Sequence, residues 1–586
     1  MSQGDGRRRA ILPKNRLVVK IKLLMKYLKV KLEKLIFGAI LGLLAVIFFT
    51  LTASFNYFRQ QGDFIKWSSP DETANYTFAK LYAQTGELQF FEKYNLLAGD
   101  LIHPRSIRSD NGVLKPVSFL GLPLIYGQIG KIFGIGILPY LTPILGAIGL
   151  IFFALLLRQF FPAKIALSAA ALLTFFPPYV YYSARSFFHN VPFTVFLITG
   201  LYFISLMVKA KAWARIWTSA LAGLFIGGAI ITRTSELLWL APVLLIIWLF
   251  YLKKIGIFKL LMFLAFMGLA VLPVLYWNQV LYGSFFSGGY NEMNTSLQSL
   301  TNLTASGQNL QTTAAKIGNT IFYFGFKPWF SLRMFQSYFV NMFWWIFWPA
   351  VIGFLIFILK IKKWRRPQYL YFLIWGITSV VLILYYGSWK FTDNPDPTRF
   401  TIGNSYTRYW LPVYLGALPL AAICLNKIAE LVFFRLKSLV NCGRIVLIGI
   451  VALISVNFVY FGSEEGLMYG LVNNNLERKI YHEILDRTEG DAVIITRYHD
   501  KLFFPERKVI LGLLNDKQMN YYYRRLLGKV PVYYFNFTLP RKDVEYLNER
   551  PLKESGFSII PLTKIDSFSL YKLVATSTTA KIENKK

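Results

Sequence analysis

Acidic residues are scarce in this chain. Only 30 Asp and Glu stand against 64 Lys and Arg in 586 residues, a formal net charge of +34. Cysteine is scarcer still: Cys424 and Cys442 are the only two, which excludes a disulfide framework and a cysteine-spaced zinc site. The excess of base would point to nucleic acid in a soluble protein. Here no basic domain with base-stacking aromatics stands apart, so no nucleic-acid partner is expected.

Apolar residues are plentiful, at 55% of the chain, and they come in blocks. Each block approaches the roughly 20 residues needed to cross a bilayer, so the chain reads as a polytopic α-helical membrane protein. Its basic residues then crowd the cytoplasmic loops and meet anionic membrane lipids. The first 34 residues hold eleven Lys and Arg against Asp5 and Glu33, as in a cytoplasmic tail ahead of a retained first helix.

The blocks lie near 35–57, 116–134, 138–157, 165–182, 190–208, 214–231, 236–252, 257–277, 338–359, 368–386, 410–426 and 445–462. If all twelve crossed, basic clusters such as Lys209/Lys211/Arg215 and Lys360/Lys362/Lys363/Arg365/Arg366 would fall outside. Removing 116–134 puts every cluster inside, so the positive-inside rule argues for about eleven spans. The removed block has two prolines and four glycines and reads as an interfacial helix.

The expected organisation follows from this count. A basic cytoplasmic N-terminus (1–34) leads into a transmembrane domain (35–462), whose outer loops include 58–137 and 278–337. From 463 to 575, strand-like runs ("DAVIIT", "RKVILGL", "VPVYYF", "FSIIPL", "FSLYKL") alternate with helical patterns, which predicts a small extracytoplasmic α/β domain. No glycine-rich phosphate loop follows these strands, so the domain reads as accessory. The tail 576–586 reads as disordered. Asn75, Asn294, Asn302 and Asn536 open N-x-S/T triplets.

The stretch "WSSPDETANY" (67–76) lies in the first outer loop. Ser69, Pro70 and Glu72 have the form of a helix start with a capping box. That pattern explains Glu72 without excluding a site role, and it leaves Asp71 over. Polar residues also gather at the outer ends of other spans: Lys115, Arg185, His189, Asn190, Arg233, Glu236 and Arg408. Charges near a bilayer boundary are costly unless paired or solvated, so as a group they suggest a substrate site. Each alone could equally be a residue snorkelling to the interface.

With "W-x-x-PDE-xx-Y" at Trp67–Tyr76, "KP" at Lys115-Pro116, "ITRTSELLWLAP" at 231–242 and "YTRYWLPVY" at 406–414, the chain resembles the GT-C membrane glycosyltransferases. The nearest branch holds aminoarabinose transferases and protein O-mannosyltransferases, the family 39- and 83-like enzymes. The resemblance implies a GT-C fold in a plasma (inner) membrane. It implies a polyprenyl-phosphate sugar donor, a lipid, glycan or protein acceptor, and transfer of a hexose or pentose with inversion. It makes Asp71 the catalytic base and Lys115 a phosphate contact. Arg233 and Arg408 are further phosphate contacts, and Tyr76, His103 and His189 are candidate substrate contacts.

Two departures bear on a divalent metal. Aminoarabinose transferases carry an acid before the lysine, where this chain has Leu114, and a second acid where it has His189-Asn190. His103, His189 and Glu72 are the residues left to rebuild such a site, and metal dependence stays open. Two rival readings remain: a flippase for lipid-linked sugars, and a polysaccharide polymerase or ligase.

Overall fold

The computed structural model describes residues 14–289, 325–394, 396, 398–462 and 465–576. Asn294, Asn302, most of the 278–337 loop and nearly all of the 576–586 tail lie outside the described residues. Among the described residues, eight helices are long and apolar enough to cross a membrane, or ten if each of two bent pairs makes one span. The chain is a membrane protein.

The eleven expected spans map one for one onto these eight helices, the two bent pairs and one short helix. The short one, Leu237–Phe250, has 14 residues and a length of about 21 Å, less than the hydrocarbon core. The block at 165–182 is broken into Ala163–Thr174 and Pro177–Arg185, bent by 52°. Pro177 and Pro178 cause the break, because a proline disfavours helical geometry in the residue before it and donates no hydrogen bond. The block at 338–359 begins earlier, as Pro328–Asn341, and turns 99° into Trp344–Ile358.

Helices approach closely where glycine allows it. A Cβ on Gly353 would lie 1.8 Å from the Leu420 carbonyl oxygen, so Trp344–Ile358 meets the Leu411–Val432 helix backbone to backbone. The block at 116–134 becomes a 13-residue helix, Gly121–Phe133, too short to cross. It packs on Pro70–Thr85, with a Cβ on Gly127 reaching 2.9 Å from the Ala79 carbonyl.

The first loop contains a three-stranded antiparallel sheet that the patterning did not predict. Val113–Pro116 is central, between Phe90–Phe91 and Ile107–Asp110. Its hairpin turns at Asn111-Gly112, whose positive φ values of 49° and 82° are those an Asn-Gly turn favours.

The C-terminal region folds as the alternation predicts. Strands Val493–Thr496, Lys508–Leu511 and Val532–Phe537 run parallel, and Phe557–Ile565 and Phe568–Ala575 complete the five-stranded sheet antiparallel. The domain is fastened to the first loop. Arg105 makes a bidentate pair with the fully buried Asp500, at 2.6 and 3.2 Å. Lys66 meets Glu506 and donates to the Phe504 carbonyl at 2.8 Å. Lys501 donates to the Ser68 carbonyl, and Ile102 bridges the edge strand at Ile510. The first loop and the C-terminal domain therefore share one side of the bundle. Asn75 and Asn536 are both buried, so neither triplet offers an accessible acceptor.

Candidate active site

Ser69 caps the Pro70–Thr85 helix, its hydroxyl accepting from the Asp71 N–H, while Glu72 Oε2 accepts from the Ser69 N–H at 2.8 Å. The same Glu72 oxygen takes a second charge-assisted bond, from Arg185 at 2.7 Å. Arg185 also donates to the Tyr181 hydroxyl at 2.8 Å. Glu72 thus caps the helix and fixes a cation from Pro177–Arg185. Tyr76, one helical turn on, packs its ring against Trp67 and Phe187 and belongs to an aromatic core.

Asp71 is freed by that division of labour. Its carboxylate accepts from the Ser106 hydroxyl at 2.8 Å and lies 3.6 Å from an Arg408 nitrogen. The side chain keeps 30% of its surface exposed, so a ligand can reach it. Ser106 sits at the base of the hairpin with φ of 64°, a left-handed conformation that turns its hydroxyl towards the helix start. Sequence patterning carried no signal for it. Replacing Ser106 with alanine removes one hydrogen bond from Asp71. If Asp71 serves as the base proposed below, transfer is expected to fall by about tenfold, in line with a bond to a charged group, with thermal stability nearly unchanged.

Arg408 lies on the short helix Ser405–Tyr409, which Asn404 caps. Its guanidinium donates to the Ser405 hydroxyl at 2.8 Å and rests over Phe188 and Tyr409, at 4.8 and 5.2 Å from their centroids. Arg233 lies over the ring of Tyr409 at 4.6 Å, so one aromatic side chain touches both cations. Arg233 is also tied to Glu236 and to the Tyr386 hydroxyl.

His189 joins this group electrostatically. Burial, followed by the Arg233 charge, pushes its imidazole down to about 4, while Asp71 pulls the other way. It touches Asn75, Ser118 and the Phe119 carbonyl. In the C-terminal domain, burial likewise pushes His499 down to about 4. In an unfolded chain both protonate near 6.5, so the unfolded form takes up protons first as pH falls. Stability is therefore full above pH 6.5 and declines through the window down to about pH 4, by up to about 1.4 kcal/mol per unit for each histidine. Unfolding midpoints of wild type and His189→Gln across that range check this; the variant is expected to show the shallower decline.

Lys115 is central in the hairpin, paired in register with Arg108. Its ammonium meets Asp110 at 3.2 Å and the Leu281 carbonyl at 2.9 Å, over the ring of Tyr282. His103 contacts the Pro104 carbonyl at 3.0 Å. Among the described residues no group of three His, Cys, Asp or Glu is arranged to hold a metal ion. Glu72 is committed to Arg185, and His189 to Asn75, Ser118 and Phe119. These residues do not fit a metal site.

Beside Asp71 opens a cavity of about 480 Å³. Ser69 and Pro70 form part of its wall, with Arg185 and Arg408. Arg59, Arg105 and Lys501 also line it, so the C-terminal domain contributes a cation. Asp393, Glu465 and Glu477 add negative charge, which makes the cavity polar and unevenly charged.

Residues 124–277, which include His189 and Arg233, match the sequence profile of the dolichyl-phosphate-mannose-protein mannosyltransferase family. No curated protein matches the chain significantly by sequence. Among solved structures, it is similar to the apo oligosaccharyltransferase of Archaeoglobus fulgidus, with a TM-score of 0.51 at 13% identity, over 93% of this chain and 75% of that one. It is similar to apo ArnT of Cupriavidus metallidurans, also with a TM-score of 0.51 at 13% identity, over 93% of this chain and 98% of that one. The chain has the fold of the GT-C membrane glycosyltransferases, and the resemblance read from its motifs holds.

Proposed function

We propose that the protein transfers a sugar from a polyprenyl-phosphate donor to an acceptor hydroxyl on the outer face of the plasma membrane, with Asp71 as general base. The observation that carries this reading is Asp71 itself: a half-exposed carboxylate, oriented by Ser106, paired with Arg408 and set beside a cation-lined cavity. The basic clusters of the connecting loops lie at the far ends of the helices, so the positive-inside rule supports an outer location for the Asp71 end.

The chemistry follows from the charges. The acceptor oxygen attacks the anomeric carbon as its proton passes to Asp71. The bond from that carbon to the phosphate oxygen breaks, and its electron pair leaves with the polyprenyl phosphate. The added negative charge is met by Arg408, with Arg233 behind it across Tyr409. Arg408 holds the Asp71 carboxylate in place across 3.6 Å and stands ready for the departing phosphate. His189 is neutral in the working range and adds no third charge to the pair. Lys115 is buried against Asp110 and the Leu281 carbonyl and does not line the cavity, so the donor phosphate is assigned to Arg408 and not to Lys115. A single displacement of this kind inverts the anomeric centre.

The test is direct. Purified protein, given radiolabelled polyprenyl-phosphate sugar and an envelope extract, is expected to move label into an acceptor. Lipid flipping in vesicles with no such transfer would overturn the reading.

A further inference from the structure

A second cavity, apolar and of about 290 Å³, runs between the helices from Thr194, Trp239 and Pro412 to Lys209, Lys254 and Arg366. The helices show that these three cations mark the end of the bundle away from Asp71. Asn190–Met207 starts beside His189 and, about 27 Å later, reaches Lys209. Arg366–Gly387 starts at the cavity and ends by Tyr386, the partner of Arg233.

Leu197, Leu201, Tyr371, Trp375 and Leu415 form its walls, and Trp239 lines its catalytic end. Cations line its mouth: Lys209, Lys254 and Arg366. Lys209 donates to Gln159 at 2.7 Å, and Arg366 donates to the Phe250 carbonyl at 3.2 Å over the Phe250 ring. Both partners are neutral. Among the described residues none of the three cations is paired with a carboxylate, and the nearby Glu430 is engaged by Lys164, Lys427 and Arg444.

An apolar space of about 150 Å³ already admits an apolar guest, and this one is larger. An apolar slot whose water-facing mouth carries three cations and no acid matches a lipid with an anionic head. The position decides which lipid. A polyprenyl phosphate reacting at Asp71 has its phosphate at the other end of the bundle, so these cations hold a different phosphate. We propose that the cavity binds an acidic diacyl phospholipid, with one acyl chain in the slot and the phosphodiester held by Lys209, Lys254 and Arg366.

Full-length protein in detergent, titrated with phosphatidylglycerol or phosphatidylcholine and read by native mass spectrometry and thermal unfolding, tests this. Phosphatidylglycerol is expected to form a one-to-one adduct and raise the unfolding temperature, and phosphatidylcholine to do neither. The triple variant Lys209→Gln/Lys254→Gln/Arg366→Gln is expected to weaken phosphatidylglycerol binding on the order of 100-fold. Leu201→Trp, which fills the slot and leaves the cations intact, is expected to abolish the adduct. Equal binding of the two lipids would overturn the proposal, as would phosphatidylglycerol binding untouched by both variants. Displacement by polyprenyl phosphate, with the same dependence on the three cations, would assign the cavity to the donor instead.

Discussion

Asp71→Asn is expected to lower kcat for sugar transfer by about 100- to 10,000-fold, the range by which a positioned general base contributes. Asparagine keeps the shape and can still accept from Ser106, but it cannot take a proton from the acceptor. Arg408 remains anchored by Ser405 and its two aromatic neighbours, so donor binding is expected to survive. The informative measurement is a split: kcat falls while KM for the donor stays close to wild type. Undiminished transfer by the variant would remove Asp71 from the mechanism, and a lost donor affinity with normal kcat would make it a binding residue.

Arg185→Met is expected to be the most damaging single change to stability. Glu72 is fully buried, and its ion pair with Arg185 at 2.7 Å is the charge contact that compensates it. Removing one partner of such a pair costs about 3–5 kcal/mol, because the other charge stays buried without its counter-ion. The unfolding midpoint in detergent should drop accordingly. The double variant Glu72→Gln/Arg185→Met removes both charges and is expected to recover much of the loss. If the two variants unfold alike, the pair is not what holds this helix start in place.

Much of this was legible in the sequence, and the reasons differ residue by residue. The spans could be read because burial in lipid imposes a length and a composition on each one. The bend at Pro177-Pro178 is written in the prolines, although a block of apolar residues does not disclose its angle. The capping box at Ser69–Glu72 is local, so its geometry could be foreseen from four residues. The Glu72–Arg185 pair joins residues 113 positions apart, and no local pattern encodes it. Ser106 was invisible for a related reason: its value lies in a left-handed backbone turn that brings it to Asp71 across 35 positions. The hairpin that follows Ser106 and carries Lys115 is signalled only by Asn111-Gly112, a two-residue turn pair between short runs with weak alternation.

The fastening of the C-terminal domain to the first loop bears on how the enzyme is made. Lys501, which donates to the Ser68 carbonyl just ahead of Asp71, is translated 433 positions after it. At ordinary elongation speeds, roughly 20 to 90 s separate the two. Throughout that interval the nascent chain lacks the contact that fastens the Ser68 carbonyl. Under the proposed function, copies that have not yet made this contact are expected to be catalytically silent.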